Sequence, residues 1–337
     1  MKVGILTAGG DCPGLNAAIR GVGKTLLMKY NAEVYGISSG FLGLIENDYK
    51  RLEENDLSNI LTLGGTILGT SREKPFKKAK NYLDEIDKPS VIKENYQALG
   101  LDCLVCIGGN GTLKTAYKLS QDGLNIIGIP KTIDNDVFGT DYTFGFHSAV
   151  NIATEAIDRL HTTANAHRRI MLIELMGHNA GWLTLFAGIA GGGDVILIPE
   201  LEYDLDNIAD YLNERITKNK KSSIVVVAEG LKRDKGKSAA RYLVKKLSDK
   251  VNQELRETIL GYIQRGGTPS PQDRILATRY GAYAAYLIAG GNFNNMVALH
   301  NDKIVALPLS ETAGKLKLVP QDHPMIERAK GLGTCFG

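Results

Sequence analysis

The stretch PKTIDND (130–136) carries two carboxylates two residues apart, Asp134 and Asp136, with an ammonium at Lys131. Pro130 ends the preceding apolar run, and an extended chain after it would place both acids on one side. In such a pair one carboxylate can take the proton of an attacking hydroxyl while the other helps to hold a metal, and the lysine can pair with phosphate oxygens. An Asx turn with solvent-facing acids accounts for the same residues without chemistry. Their company favours the chemical reading. The glycine turns GGD (9–11) and GGNG (108–111) each follow an apolar run and precede a helix-like segment. Glycine at a helix N-terminus lets successive N–H groups face an anion, and the helix dipole favours negative charge there. Either turn alone is equally well explained as a strand-to-helix corner. Two of them on neighbouring strand ends favour a polyphosphate.

Basic groups complete the set. Arg72, after GGTILGTS, could face a transferring phosphoryl group, and Arg169, Arg256 and Arg265 stand near strand starts or ends. Arginine suits a bidentate grip on phosphate, although a single arginine is more often a surface residue, and spacing alone does not select these three. GKT at 23–25 imitates the end of a phosphate loop, but Ala18 stands where that pattern needs glycine, so Lys24 reads as a helix lysine.

Positioning these groups takes a sheet. The runs KVGILTA, AEVYGI, CLVCIG and NIIGIP alternate with the helix-period segments NAAIRGVGKTLLMKY and TLKTAYKLS, which predicts a mostly parallel sheet of βαβ units. After FGFHSAV a second set follows, with a helix through NIATEAIDRLHTTA and strands at RIMLIEL, DVILIP and SIVVVAE. The expected fold class is therefore α/β, with two similar Rossmann-like lobes and mostly parallel sheets. Open parallel sheets bind ligands beyond the carboxyl ends of their strands. Function is accordingly expected at AGGDCPG (8–14), IGGNGT (107–112), PKTIDND, ELMGHNAG (174–181), AEG (228–230) and YIQRGG (262–267).

The bulk numbers exclude several classes. At 337 residues the chain can form two domains or one large one, and 43% hydrophobic with 23% charged residues is a globular composition. Forty basic against 37 acidic residues leave a net charge of +3, which gives no reason to expect a nucleic-acid or membrane partner. No apolar stretch has membrane-span length, and the start MKVGILTAGG runs into a strand and turn instead of a signal peptide, so a cytoplasmic protein is expected. Cys103 and Cys106 lie within one strand-like run, where positions three apart face opposite ways, so the pair is a poor redox or metal site. The charged run 231–250 reads as a solvated loop and helix face.

In this order GGDCPGLNAAIRG, GGTILGTSR, GGNGT, PKTIDND, GTDYTFGF, EAIDRLHTTA, ELMGHNAGWLTL, AGIAGG and LGYIQRGGTP resemble the 6-phosphofructokinase family, over residues 3 to about 285, to which the C-terminal tail adds little. The resemblance implies transfer of a terminal phosphoryl group to the 1-hydroxyl of fructose 6-phosphate, with Mg2+, in a homotetramer or homodimer of two-lobed subunits. One lobe, 1–145 plus 264–315, would bind the donor, and the other, 146–263 plus 316–337, the sugar phosphate. Matched motif positions imply Asp134 as general base, Thr132 against the sugar phosphate, Arg72 and Lys131 beside the reacting phosphoryl group, and Asn110 and Asp136 near the metal. Gly10, Ser71, Arg72, Gly109, Asn110, Gly111 and Thr112 would hold the donor. Ile133, Met176, Gly177, His178, Glu229, Tyr262, Ile263, Gln264 and Arg265 would line the sugar pocket, which Arg169 and Arg256 would reach from a neighbouring subunit.

Several positions depart from that pattern. Asn110 replaces the usual metal-binding aspartate, and a neutral amide is a weaker partner for a hard cation. Pyrophosphate-using relatives often carry aspartate where this chain has Gly111, together with a lysine such as Lys131. An absent side chain leaves room and a lysine excludes nothing, so ATP is the expected donor and pyrophosphate the alternative. His178 and Tyr262 stand where arginine and histidine are common, and both can still hydrogen-bond. Arg20, Lys24, Asp194 and Lys221 match effector-pocket positions, but Glu54 and His161 replace arginines there, so a weak response to ADP or phosphoenolpyruvate is expected. Lipid and NAD kinases share the GGNGT-type turn without the later motifs. A non-catalytic sensor on the same fold would need no Asp134. The whole reading requires Asp134 and Gly111 to converge on one pocket.

Overall fold

A computed structural model describes residues 1–77, 87–234, 236 and 238–337. The chain opens with β1 (Lys2–Ala8), α1 (Leu15–Tyr30), β2 (Glu33–Ile37), α2 (Phe41–Glu46), β3 (Tyr49–Leu52), α3 (Lys88–Ala98), β4 (Cys103–Gly108), α4 (Asn110–Gln121) and β5 (Ile126–Pro130). Then come α5 (Phe146–His167), β6 (Ile170–Leu175), α6 (Trp182–Ala190), β7 (Val195–Leu197), α7 (Leu205–Thr217), β8 (Ser223–Ala228), α8 (Ala239–Leu247) and β9 (Leu255–Ile259). Last are α9 (Pro271–Ala289), β10 (Asn295–His300), β11 (Lys303–Pro308), α10 (Leu309–Thr312) and α11 (Pro324–Gly331). Two compact units result. The first holds residues 1–132, 137–147 and 265–316, and the second 133–136, 148–264 and 317–337.

The first unit is built on a seven-stranded sheet of order β11-β10-β5-β4-β1-β2-β3. Its five inner strands run parallel, and β3 and β11 close the edges antiparallel. Strands buried on both faces read as unbroken apolar runs, which is why CLVCIG is fully buried as β4. The edge strand YKRL exposes three of its four residues and carries no such signal. In α1 the residues Leu15, Ala18, Ile19, Val22 and Leu26 are all buried, the i, i+3, i+4 spacing of one core-facing stripe. Lys24 lies inside this helix and pairs with Glu54 at 3.6 Å, as expected of a helix lysine.

The second unit has a four-stranded, wholly parallel sheet of order β7-β8-β6-β9. Its core joins Leu172, Val195, Val225 and Val227 to Ile208 and Leu212 of α7 and Leu243 and Leu247 of α8. The charged run behaves as a solvated face: α8 buries Ala239, Ala240, Leu243 and Leu247, while Lys245 and Lys246 lie in its last turn. There they favour the negative end of the helix dipole. Residues 235 and 237 of that run lie outside the described residues.

Cys12, Cys103 and Cys106 are buried free thiols, and Cys335 is half-buried. Burial pushes the Cys12 thiol up to about 12 and raises the other three. Since the thiolate is the reactive form, the native protein should give at most one slowly reacting thiol, Cys335, to an aromatic disulfide reagent at pH 8. The unfolded chain should give all four. Rapid labelling of two or more thiols in the native protein would contradict the packing described.

Candidate active site

In the first sheet Ala8 pairs with Gly108 and Gly108 with Pro130. Three adjacent strands therefore end level, and the segments that begin at Gly9, Gly109 and Lys131 leave one edge within about 10 Å of each other, two strand spacings. The order also reverses here, β2 lying to one side of β1 and β4 to the other, which makes this edge a topological switch point.

The turn after β1 is tied down from several sides. Gly9 N–H donates to the Ser71 carbonyl at 2.9 Å, and the Thr70 hydroxyl donates to the Gly9 carbonyl at 2.7 Å. The Lys131 ammonium, 3% exposed, donates to the Gly10 carbonyl. Arg265 lies over the same residue: a Cβ on Gly10 would come 3.1 Å from its guanidinium carbon. A side chain at position 10 would crowd that guanidinium and push it aside. Two positive groups converge on this turn, as a site for an anionic ligand needs. Arg265, which the resemblance assigns to the sugar pocket, thus lies against the turn after β1.

The second glycine segment differs from the sequence reading. Asn110, Gly111 and Thr112 are the first turn of α4 rather than a loop before it, because Gly109 is already the cap residue. Gly109 has no side chain with which to cap that end, and the leading N–H groups of a helix are the kind an anion satisfies. Thr112 turns its hydroxyl inward to the Ala8 carbonyl at 3.2 Å, fixing the helix start to the end of β1. Gly111 faces open space, with nothing within 4 Å of an added Cβ.

Asp134 and Asp136 do not share one side of an extended strand. Asn135 between them adopts a left-handed conformation, φ 51°, which breaks the two-residue alternation. Asp134 is left partly exposed while Asp136 is 7% exposed. The two acids have different surroundings, and the carboxylate suited to meet a ligand is Asp134. Thr132 accepts from the Thr143 hydroxyl through its carbonyl at 2.7 Å, and Ile133 is buried.

In the second unit, β6, β8 and β9 also end close together, with Leu175 beside Ala228 and Glu174 beside Ile259. Gln264, fully buried, accepts from Met176 N–H at 3.3 Å. Gly230 N–H donates to the Gly177 carbonyl at 3.2 Å, and Arg233 donates to the Glu229 carbonyl at 2.6 Å. These contacts bring the segments at 176–178, 229–230 and 264 together. His178, Tyr262 and Ile263 are exposed, the last two by 73% and 65%. Arg169 and Arg256 both pair with Glu254, the first at 2.5 Å. Hydrogen bonding from Arg169, reinforced by the charge of Arg256, lowers the Glu254 carboxyl from its ordinary value. A separate cavity of about 400 Å³ beside Asp194, Tyr211 and Arg215 contains none of the expected sugar-site residues.

One pair escaped the sequence reading. Lys88, 3% exposed, meets Glu73 at 3.0 Å. Ser71 and Thr70 are bound to Gly9 and Glu73 to Lys88, so the segment carrying Arg72 is pinned on both sides of it. Arg72 itself is exposed and makes no hydrogen bond or ion pair among the described residues. Fifteen residues separate the partners, so no local spacing rule signals the pair.

A family model described as phosphofructokinase matches residues 2–288. The ATP-dependent 6-phosphofructokinase 3 of Bacteroides thetaiotaomicron is 56% identical over 337 residues, all of both chains. A protein of Amycolatopsis methanolica named pyrophosphate–fructose 6-phosphate 1-phosphotransferase is 42% identical over 96% of this chain and 97% of its own. Among solved structures, Pichia pastoris phosphofructokinase in the T-state superposes with a TM-score of 0.84 at 32% identity. That match covers 93% of this chain and 35% of the other.

Lys88 is buried and Glu73 half-buried, and removing one partner of such a largely buried pair leaves the other charge poorly solvated. Lys88→Met should therefore cost about 3 kcal/mol of stability in urea unfolding. A loss below about 1 kcal/mol, the size of an exposed pair, would show that Glu73 and Lys88 are not a buried couple.

Proposed function

The chain belongs to the phosphofructokinase family, and from that premise we propose that it transfers the terminal phosphoryl group of ATP to the 1-hydroxyl of fructose 6-phosphate. The product is fructose 1,6-bisphosphate, and the setting is glycolysis in the cytoplasm. The observation that carries this reading is the level ending of β1, β4 and β5 with two cations gathered on Gly10. An edge of that kind suits a polyphosphate and the group that attacks it.

In this reading the N–H groups at the start of α4 and the turn at Gly9 and Gly10 hold the donor phosphates. Lys131 and Arg72 offset the charge that spreads over the phosphoryl oxygens. Asp134 accepts the proton of the sugar hydroxyl. Only Ile133 lies between it and Thr132, which keeps their Cα atoms within about 7 Å. Phosphoryl transfer asks little covalent work of the protein, so alignment and charge placement supply the catalysis. Met176, Gly177, Glu229 and Arg265 would bind the sugar phosphate, with His178 and Tyr262 as exposed hydrogen-bonding groups. Arg169 and Arg256, gathered on Glu254, would serve a neighbouring copy in a homotetramer.

Magnesium fits a sparse set of protein ligands. Among the described residues no group of three or more His, Cys, Asp or Glu is placed to hold a metal. Magnesium binds instead through one or two protein oxygens, retained waters and substrate phosphates. Asn110 would offer an amide oxygen and Asp136 a carboxylate, and the ion when bound would neutralise charge on the outer phosphates. Relatives named for ATP reach higher identity than the relative named for pyrophosphate, and the open space at Gly111 leaves room for a nucleotide.

Turnover measured with each donor against fructose 6-phosphate tests the proposal: ATP should exceed pyrophosphate, and the reverse order would overturn the donor assignment. Gly111→Asp sharpens the test. Position 111 is helical, with no left-handed φ to strain, so the variant should fold. Its KM for ATP should rise about ten-fold, equivalent to 1.4 kcal/mol, with a smaller change for pyrophosphate. An unchanged KM for ATP would mean that the nucleotide does not pass this residue.

A further inference from the structure

The C-terminal tail, silent in the sequence, crosses the second unit at two places that matter for the acceptor. Lys317 N–H donates to the Asp136 carbonyl at 2.9 Å, and the Lys317 carbonyl accepts from the Trp182 indole N–H at 2.9 Å. One residue of the tail thus binds the loop carrying Asp134 and Asp136 on one side and the start of α6 on the other. Two residues on, Val319 N–H donates to Glu200 Oε1 at 2.9 Å. The same carboxylate accepts from Gly181 N–H at 2.9 and 3.1 Å. The segment Met176–Gly181 is therefore fixed at both ends, by Gln264 at Met176 and by Glu200 at Gly181.

Two of the residues involved are buried. Val319 is 2% and Trp182 8% exposed. The edge of His323 stands against the indole, ring centres 5.2 Å apart at 87°, and the Lys317 ammonium lies 5.4 Å from the indole centroid. Edge-to-face rings and a cation over an indole are both attractive arrangements. The tail is held to Trp182 by its backbone and by two side chains, so displacing one displaces the other.

We infer that Lys317 and Trp182 form a strap that holds the Asp134 loop and the Met176–Gly181 loop at a fixed spacing, making Trp182 a positioning residue for the acceptor half of the reaction. The inference rests on the function proposed above. It differs from plain packing in what it predicts. A packing role would change stability alone, or both substrates alike, whereas the strap's hydrogen bonds run to Asp136 in the base loop and to Trp182 just after the acceptor loop.

Trp182→Phe keeps an aromatic ring but removes the indole N–H. It should lower kcat and raise the KM for fructose 6-phosphate, together about five-fold in kcat/KM, the size expected of one lost hydrogen bond. The KM for ATP should stay within about two-fold. Wild-type values for kcat and for the sugar phosphate KM would overturn the strap, as would an equal rise in both KM values. Should the variant fail to fold, the wild-type chain still decides, because Trp182 is its only tryptophan. Fructose 6-phosphate added without donor should shift the tryptophan emission, and ATP alone should not. An unmoved spectrum at sugar concentrations that saturate turnover would overturn the inference. A wild-type protein inert toward fructose 6-phosphate would sink the functional reading itself, a separate result.

Discussion

Ala8 pairs with Gly108 and Gly108 with Pro130, and this register in a parallel sheet is the constraint on which the candidate site depends. It brings three turns of unrelated sequence to one edge, where each contributes a different kind of group: backbone N–H donors from α4, a tethered glycine turn after β1, and a lysine after β5. Because side chains alternate along a strand, a slip of one residue would turn each neighbouring position to the opposite face, sending Lys131 away from Gly10. Hydrophobic burial on both faces of β4 opposes such a slip. The same burial that stabilises the sheet therefore also fixes which groups meet at its edge.

The second unit solves the same problem with side chains as well as register. Its strand ends supply backbone segments at 176, 229 and 260, but the loops that follow are spaced by Gln264, Glu200 and the tail residue Lys317. A half-buried carboxylate that accepts from two backbone N–H groups, as Glu200 does from Gly181 and Val319, ties the residue before α6 to the tail and satisfies a donor that would otherwise be orphaned at the start of that helix. Rigidity of this kind is what a site needs if its catalysis consists of alignment.

Most of the fold was legible because parallel strands buried on both faces leave continuous apolar runs. KVGILTA, CLVCIG, RIMLIEL and SIVVVAE all contain observed strands. The strands at YKRL and LRETI were not legible, since edge or partly exposed strands alternate with polar groups and lack that signal; the hairpin strands NMVALH and KIVALP do carry apolar runs and were missed. The placing of Cys103 and Cys106 within one strand followed from the apolar run, and that of Lys24 within a helix from the helical period and from Ala18 where a phosphate loop needs glycine. What stayed hidden depends on contacts distant in sequence: Arg169 with Glu254, Glu73 with Lys88, Trp182 with Lys317. The placing of both acids of PKTIDND on one side failed for a local reason, the left-handed turn at Asn135, which an Asn in a polar loop permits but does not dictate.

The account's central claim is that Asp134 acts as the base toward a sugar hydroxyl. Asp134→Asn keeps the shape and removes the proton acceptor, so steady-state kinetics of this variant with ATP and fructose 6-phosphate test the claim most directly. The account predicts a kcat lowered about 10²- to 10⁴-fold, with both KM values within a few-fold of wild type. A variant retaining more than about a tenth of the wild-type kcat, well short of what general-base catalysis contributes, would contradict it.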